Sequence, residues 1–358
     1  MPKLTAKNFR NNDPADMYSA IRNFPEQIRA AIEIGETGPK LAKSKAKRII
    51  VLGMGGSAIG ADLIRSYVSS FNDPKAPHIT VNRDYTAPPV GKNDLLVASS
   101  YSGNTEETLT AYKAARNEAG NVLAITTGGT LGRSAKAAKY NLIELPTGLQ
   151  PRAALGYSFF PLLYTLAIKS DLFGEQIRKE TEKGIEETIA LTEKLRETYG
   201  AGPEADNPAY AIAAQINGRI PVIYSATERL DTVNIRWRGQ IQENAKYLAF
   251  GNLLPEMNHN EINGWGHPKK LIGKFAPVYL RDQDDHKRNR KRVDITKEII
   301  GESAGEAIEI SSQGKSPLAR MFSLIHLGDW VSYYLAALNG VDPSPVPVIE
   351  NLKARLKG

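Results

Sequence analysis

Short apolar runs that alternate with longer helical patterns restrict the fold of this chain more than any other feature. RIIVLG (48–53), DLLVAS (94–99) and NVLAITT (121–127) are apolar without polar alternation, as expected of strands that are covered on both faces. Helical patterns separate them, such as SAIGADLIRSYV (57–68) after the first run. Strand–helix alternation of this kind predicts an α/β fold with a parallel sheet between layers of helices.

The same alternation returns in the second half of the chain, with RIPVIYSAT, FAPVYLRD and AIEIS as the apolar runs. We therefore predict two α/β subdomains, each a parallel sheet flanked by helices in a three-layer α/β/α sandwich. The predicted limits are a helical lead-in at 1–45, a first domain at 46–156, connecting helices at 157–205 and a second domain at 206–358.

Composition and charge exclude several classes of function. The chain has no cysteine, so thiolate metal sites, disulfides and cysteine nucleophiles are excluded. Its net charge of +7 favours anionic partners. The densest basic run, DDHKRNRKR (284–292), contains two aspartates and no aromatic residue, which indicates a solvated helix face and no nucleic-acid site. We see no apolar leader and no run as long as a membrane span, and we expect a cytoplasmic protein without a membrane partner.

The first apolar run ends in the glycine-rich turn GMGGSA (53–58), which contains Gly55, Gly56 and Ser57. Glycines let the backbone approach a ligand closely, and the N–H groups that open the next helix can bind an anion. The letters also satisfy the dinucleotide pattern G-x-G-x-x-A, with Asp84 after the following strand. The turn alone therefore leaves open a dinucleotide site or a close-packed turn with no ligand.

The second turn, ASSYSGNTEE (98–107), is more specific. Ser100, Ser102 and Thr105 come between a strand and a helix start, whereas one hydroxyl is enough to cap a helix. Hydroxyls and backbone amides that converge on a helix N-terminus suit a phosphate dianion. Two such turns on neighbouring strands predict one small phosphorylated molecule that spans both, and a third turn, TTGG (126–129), is predicted to be structural or at the rim.

The blocks GMGGSAIGADLI, SSYSGNTEET and ITTGG resemble the sugar isomerase (SIS) domain, a parallel α/β module that binds phosphosugars. Three later blocks, PRAALGYSFFPLL, RWRGQIQENAK and LPEMNHNEINGW, resemble one family that contains this domain, the bifunctional phosphoglucose/phosphomannose isomerases. The resemblance implies two SIS-type subdomains, the first binding the phosphosugar. It also implies interconversion of glucose 6-phosphate and mannose 6-phosphate with fructose 6-phosphate through a cis-enediol, and a homodimer with shared active sites.

Isomerisation of this kind needs a carboxylate base at the reacting carbons and an acid–base group near the ring oxygen. Glu243, Glu256 and Glu261 are all candidates for the base, and their spacing does not decide between them. His259 is the preferred histidine because polar residues surround it in NHNE, whereas His326 has core spacing on a helix and is interpreted as structural.

The family resemblance assigns the remaining roles. It implies that Glu243 transfers the proton, that His259 assists ring opening and that Arg152 offsets the charge of the enediolate. It implies that Lys353 closes over the sugar, with Lys357 as a rival. No histidine–carboxylate cluster has zinc spacing, and the implied mechanism uses no metal and no organic cofactor.

Three other functions compete with this hypothesis. A sugar-phosphate-sensing regulator would need a DNA-binding helix-turn-helix, and none is evident before residue 49. An NADP-dependent oxidoreductase could use the GMGGSA turn. Amination of fructose 6-phosphate would need a cysteine nucleophile, which the chain lacks.

The long apolar helix at 317–338 is the predicted dimer interface element.

Overall fold

A computed structural model describes residues 4–41, 46–204 and 206–356 of the chain. These residues form two compact units, each built around one sheet. The first unit consists of Asn23–Thr192 and Gly314–Arg320, and the second of the chain up to Arg22, Glu193–Gln313 and the chain from Met321 onward. The domain limits given above stay predictions.

The first unit contains a five-stranded parallel sheet in the order β2-β1-β3-β4-β5. Its strands are β1 (Arg48–Leu52), β2 (His78–Asn82), β3 (Asp94–Ser99), β4 (Asn121–Thr126) and β5 (Asn141–Glu144). The first helix of the chain, α1 (Met17–Arg22), belongs to the second unit. The next six helices are α2 (Phe24–Thr37), α3 (Gly55–Ser69), α4 (Glu106–Ala115), α5 (Gly129–Ala137), α6 (Leu155–Leu163) and α7 (Glu175–Tyr199).

The second unit contains a four-stranded parallel sheet in the order β7-β6-β8-β9. Its strands are β6 (Ile220–Ala226), β7 (Phe250–Leu254), β8 (Phe275–Arg281) and β9 (Ile308–Ser311). The later helices of the chain are α8 (Pro208–Ile216), α9 (Asp231–Ala245), α10 (Lys269–Ile272), α11 (Lys287–Ala304), α12 (Pro317–Asn339) and α13 (Pro347–Leu356).

The predicted fold class, two parallel sheets flanked by helices, is confirmed. Strand β3 has all six of its residues buried, which explains why its sequence lacks polar alternation. Leu96 and Ala98 of this strand pack with Tyr112 of α4 and Leu131 of α5 in one apolar cluster. Burial on both faces fixes β3 at the centre of the sheet, and its carboxyl end therefore opens at the middle of the sheet edge.

The strand order places the two predicted ligand turns side by side. From β1 the chain crosses to β2 on one side and then returns to β3 on the other, so the order reverses between β1 and β3. Ligands of open α/β sheets bind in the crevice outside the carboxyl ends of the strands at such a switch point. The turns that leave β1 and β3 are GMGGSA and SSYSGNT, which is where the sequence predicts the phosphate.

The second sheet has a corresponding switch point between β6 and β8, but the turn that follows β8 is filled by carboxylates. Asp282 and Asp285 are buried there. Asp285 Oδ2 accepts the backbone N–H of Asp282 at 2.9 Å, and Asp282 Oδ2 accepts the hydroxyl of Ser312 at 2.8 Å. Because these carboxylates already occupy the backbone and hydroxyl donors, this turn is unsuited to a phosphate dianion.

The predicted interface helix is corrected by the structure. Residues 318–336 of α12 are all buried within the chain, so this helix offers no exposed apolar face. A helix that is apolar all round belongs in a core. In contrast, none of the residues of α13 is buried, and Val348, Leu352 and Leu356 are 81%, 59% and 64% exposed.

Within the described ranges, every helix is too short or too polar to cross a membrane.

We predict that Asp285→Asn stabilises the protein at pH 8 and has little effect near pH 4. Burial raises the pKa of Asp285 to about 6, with the charge of Asp282 adding to the effect. The folded protein therefore loses stability as the pH rises from the unfolded pKa of about 4 through 6, because the carboxylate must then be carried charged. The amide avoids this cost, which is about 3 kcal/mol for a shift from 3.8 to about 6.

The measurement is denaturant unfolding of the variant and the wild type between pH 4 and pH 8. The matched control is Asp284→Asn, whose side chain is 47% exposed and lies 3.8 Å from Arg229. If the Asp285→Asn gain does not depend on pH, or if Asp284→Asn shows the same gain, the assignment of the buried charge is incorrect.

Candidate functional site

The first turn is shaped by two glycines with different constraints. Gly55 has a φ of +49°, a left-handed conformation that disfavours side chains. A Cβ on Gly56 would lie 2.7 Å from the carbonyl oxygen of Pro151, so only glycine allows this close approach. Helix α3 begins at Gly55, and its N-cap residue, Met54, has no side-chain oxygen with which to cap the helix. The turn therefore presents the open end of a helix, where a bound anion is favoured.

The second turn is joined to the first by a hydrogen bond between Tyr101 and Ser57. The backbone N–H of Tyr101 donates to Ser57 Oγ at 2.9 Å. Ser100 is fully buried, and its hydroxyl lies 2.9 Å from that of Thr105, the N-cap residue of α4. The structure thus brings together Gly55, Gly56, Ser57, Ser100 and Thr105, five of the six residues predicted to bind the ligand.

Ser102, the sixth residue predicted to bind the ligand, is exposed, and its hydroxyl accepts the backbone N–H of Asn104 at 3.2 Å. This hydrogen bond supports the bend of the loop. The backbone N–H groups of Gly103, Asn104 and Thr105 have acceptors within the loop. What the loop can offer to an anion is therefore its hydroxyls and the first N–H groups of α4.

The third turn braces the second. A Cβ on Gly103 would lie 2.0 Å from the carbonyl oxygen of Gly128, so the two turns are in backbone contact. The backbone N–H and the hydroxyl of Thr127 donate to the carbonyl oxygen of Tyr101 at 3.0 and 2.8 Å. Asn104 Oδ1 accepts from the backbone and the hydroxyl of Thr130 at 3.0 and 3.1 Å. This support fixes the shape of the hydroxyl-bearing loop before any ligand binds.

Arg152 lies in the same unit and next to the first turn. It belongs to a short 3-10 helix, Pro151–Ala153, which leads into α6. The arginine is only 3% exposed, and its backbone nitrogen lies 3.4 Å from the position that a Gly56 Cβ would take. The backbone of Arg152 therefore lies beside the first turn, and a guanidinium that reaches an anion site from there can stabilise negative charge on the ligand.

Glu243 belongs to the second unit, on α9, and a neighbouring face of this helix is anchored to α12. Trp237 Nε1 donates to the carbonyl oxygen of Leu324 at 2.9 Å, and Asn244 Nδ2 donates to Ser332 Oγ at 2.9 Å. Glu243 lines a cavity of about 500 Å³ together with residues 346–349 at the start of α13. The anchored face holds the helix still while the other face presents the carboxylate to the cavity.

Lys246 ends this helix with a φ of +53°. Its Nζ donates to the backbone carbonyl oxygens of Glu243 and Pro343 at 2.8 and 3.1 Å. A lysine commonly satisfies the last carbonyls of a helix in this way. The hydrogen bond that Lys246 donates to Glu243 is therefore made to the backbone carbonyl oxygen of Glu243.

The two rival carboxylates lie in the loop that carries His259, and both already accept side-chain hydrogen bonds. Glu261 accepts hydrogen bonds from the hydroxyl of Tyr224 and from Asn252 Nδ2, the latter at 2.8 Å. Glu256 Oε1 accepts from Asn260 Nδ2 at 2.9 Å. His259 itself is exposed at the end of a 3-10 helix, Glu256–His259, and is not among the residues that line the Glu243 cavity.

Lys353, Lys357 and His326 are the remaining residues to which the sequence gives a role. Lys353 is exposed on α13, the helix whose first residues line the Glu243 cavity. Lys357 lies outside the described residues. His326 is fully buried on α12 and accepts a hydrogen bond from Trp330 Nε1 at 3.2 Å, and burial lowers its pKa to about 3. A neutral, enclosed imidazole agrees with a structural role.

Sequence reasoning did not identify two residues that contact the Arg152 segment. Tyr101 follows Ser100 directly, yet the pattern gave only the hydroxyls a role. Gln27 Nε2 donates to the carbonyl oxygen of Ala153 at 2.9 Å from α2, which lies in the predicted helical lead-in. The position of Tyr101 inside the ligand turn was an available signal, whereas no local pattern points to Gln27.

Two family models match the chain. The SIS domain family model matches residues 43–154, and the model for the bacterial phospho-glucose isomerase C-terminal SIS domain matches residues 205–356. A bifunctional phosphoglucose/phosphomannose isomerase of Caldicellulosiruptor bescii is 45% identical over 343 residues, which cover 95% of this chain and 98% of the relative. One of Aquifex aeolicus is 40% identical, covering 87% and 91%.

A solved structure shows the fold alone. A hypothetical protein of Thermus thermophilus superposes with a TM-score of 0.70 at 15% identity, covering 97% of this chain and 91% of that chain.

We predict that Gly56→Ala weakens the binding of inorganic phosphate by about tenfold, which corresponds to roughly 1.4 kcal/mol. The added Cβ would meet the Pro151 carbonyl at 2.7 Å, so the backbone of one of the two segments must move. Titration calorimetry with inorganic phosphate measures the change.

The matched control is Gly132→Ala in α5, where the new Cβ would meet only Thr126 Cγ2 at 3.4 Å. This variant should keep the wild-type affinity. Equal affinities for the wild type and Gly56→Ala would show that the first turn does not hold the anion.

Proposed function

Because the chain belongs to the bifunctional phosphoglucose/phosphomannose isomerase family, we propose that it interconverts glucose 6-phosphate and mannose 6-phosphate with fructose 6-phosphate. The observation that carries the proposal is the pair of turns at the switch point of the first sheet, joined through Ser57 and Tyr101 with Arg152 beside them. The family resemblance read from the sequence motifs is confirmed by the relatives at 45% and 40% identity. The proposed mechanism uses no metal and no organic cofactor.

The phosphate of the substrate would bind at the two turns. A sugar phosphate carries up to two negative charges and accepts several hydrogen bonds, which the amides of the two helix starts and the hydroxyls can donate. We assign Gly56, Ser57, Ser100, Ser102 and Thr105 to this contact, and Gly55 to the shape of the turn. Binding energy from the phosphate then holds the sugar in one orientation for the chemical step.

The chemical step needs groups with three roles. We propose that His259 assists ring opening and that Glu243 removes the proton from one of two adjacent carbons and returns it to the other. Arg152 would stabilise the negative charge that develops on the enediolate oxygen. Glucose and mannose 6-phosphates differ only at C2 and give the same enediol when C2 loses its proton, so one set of groups serves both.

We further propose a homodimer in which two subunits complete each site. His259 does not line the cavity that contains Glu243 within one chain. The exposed residues Val348, Leu352 and Leu356 recur every four positions along α13 and form one apolar stripe beside that cavity. A second subunit that covers this stripe could bring its His259 to the site, with Lys353 of α13 closing over the sugar.

The alternatives have less support. The dinucleotide interpretation of GMGGSA does not account for the hydroxyl-bearing turn joined to it. A regulator that only binds a sugar phosphate would not need the carboxylate of Glu243 or the buried Arg152 for a chemical step. The proposed reaction belongs to glycolysis and gluconeogenesis, and we propose a cytoplasmic location because the substrates are phosphorylated sugars.

The decisive variant is Glu243→Gln, which keeps the size of the side chain and removes the base. We expect kcat for both hexose 6-phosphates to fall by about 10²–10⁴, the usual contribution of a general base, with KM changed little. A coupled assay with chelator present measures turnover on the two sugars in parallel.

Glu256→Gln and Glu261→Gln serve as matched controls because both carboxylates hold loop contacts. Near-normal turnover of Glu243→Gln, together with loss of activity in either control, would assign the base to the other carboxylate.

The dimer is tested with Val348→Asp/Leu352→Asp on α13. Two charges on the apolar stripe should prevent its burial, giving a monomer with little activity. Sedimentation velocity measures the state, and Ile299→Asp on α11, at an isoleucine that is 46% exposed, is the matched control. A fully active monomeric wild type would contradict the shared site.

A further inference from the structure

The segment 146–156, which contains Arg152, is held at its N-terminal end by the phenol of Tyr101. The hydroxyl of Tyr101 donates to the carbonyl oxygen of Pro146 at 2.9 Å and accepts the backbone N–H of Leu149 at 3.4 Å. Between these two positions Gly148 has a φ of +105°, so the chain turns tightly around the phenol. Burial raises the pKa of Tyr101, and the phenol therefore remains a donor across the neutral pH range.

The other end of the segment is held by the amide of Gln27 on α2. Gln27 Nε2 donates to the carbonyl oxygen of Ala153 at 2.9 Å, and Gln27 Oε1 accepts the backbone N–H of Gly156 at 2.6 Å. Gln27 is 5% exposed, and a Cβ on Gly156 would lie 2.5 Å from its amide oxygen. One buried side chain thus fixes the backbone on the carboxyl side of Arg152.

The hydrogen bonds made by Tyr101 and Gln27 determine where the backbone that carries Arg152 lies. Arg152 is 3% exposed, and the backbone before it packs on Gly56 of the first ligand turn. The position of its guanidinium therefore depends on where residues 146–156 run. Misplacement of a catalytic group by about 1 Å can cost up to 10²-fold in rate.

We propose that Tyr101 and Gln27 are positioning residues that hold Arg152 against the charge developing on the substrate. The inference rests on the isomerase function and on the role of Arg152 proposed above. Tyr101 has two separable tasks, because its backbone N–H and carbonyl join the ligand turns while its phenol holds the Arg152 segment. Tyr101→Phe removes the second task and leaves the first intact.

The test is steady-state kinetics of Tyr101→Phe. We expect kcat to fall by about 5- to 20-fold, within the range for a displaced catalytic group, and KM to stay within about twofold. Inhibition by inorganic phosphate should be unchanged because the turns keep their contacts. The matched control is Tyr67→Phe, which loses a buried hydroxyl contact to Thr181 Oγ1 at 3.1 Å in the same unit and should keep wild-type kcat.

A double-mutant cycle with Arg152→Lys tests whether the phenol acts through the arginine. If it does, the loss caused by Tyr101→Phe shrinks to less than about twofold in the Arg152→Lys background. Equal losses in both backgrounds, or a normal kcat for Tyr101→Phe, would overturn the proposal.

Gln27→Asn gives an independent arm because the shorter amide cannot reach both backbone partners. Its kcat should fall with little change in KM and in phosphate inhibition, whereas normal kcat would remove Gln27 from the proposal. A wild type without turnover on hexose phosphates would instead refute the proposed function. An active wild type with a normal Tyr101→Phe variant would refute only the positioning role.

Discussion

The hydrogen bond between Tyr101 N and Ser57 Oγ is the contact on which the proposed site depends. It joins two turns that leave neighbouring strands, and each turn opens a helix. Without it, each turn would be an ordinary strand-to-helix connection. With it, two helix starts point to one place, and the backbone amides of both can bind one dianion.

The glycines make this convergence possible through close packing. Gly56 allows the Arg152 segment to approach the first turn, and Gly103 allows the third turn to approach the second. A tightly packed loop loses less conformational entropy when a ligand binds, because its shape already exists in the free protein. The buried Ser100 and its contact with Thr105 belong to the same preformed shape.

The two sheets share a strand order but differ at the turns. Hydroxyls follow β3 in the first sheet, whereas buried carboxylates follow β8 in the second. The same architecture can therefore supply an anion site in one unit and a different task in the other. In the second unit we propose that task for Glu243 on α9, a helix held to α12 through Trp237 and Asn244.

The sequence predicted the fold class and the helix start after β3 well because both depend on local patterns. Apolar runs such as DLLVAS report burial on both faces, and the hydroxyl spacing reports a helix start. Gln27 was not predictable, since its contact with Gly156 joins residues 129 positions apart. The place of α12 was predicted wrongly because an apolar helix suits an interface and a core equally, and only the fold shows that residues 318–336 are buried within the chain. The choice among Glu243, Glu256 and Glu261 shows the same limit, because only the structure shows that Glu261 is bound by Tyr224 and Asn252.

A crystal structure with fructose 6-phosphate bound tests the central claim most directly. The account predicts that the phosphate oxygens lie within about 3 Å of the Ser57 and Ser100 hydroxyls or of the backbone amides beside them, as hydrogen bonding requires. A ligand whose phosphate lies away from both turns, for example at the cationic start of α11, would contradict it.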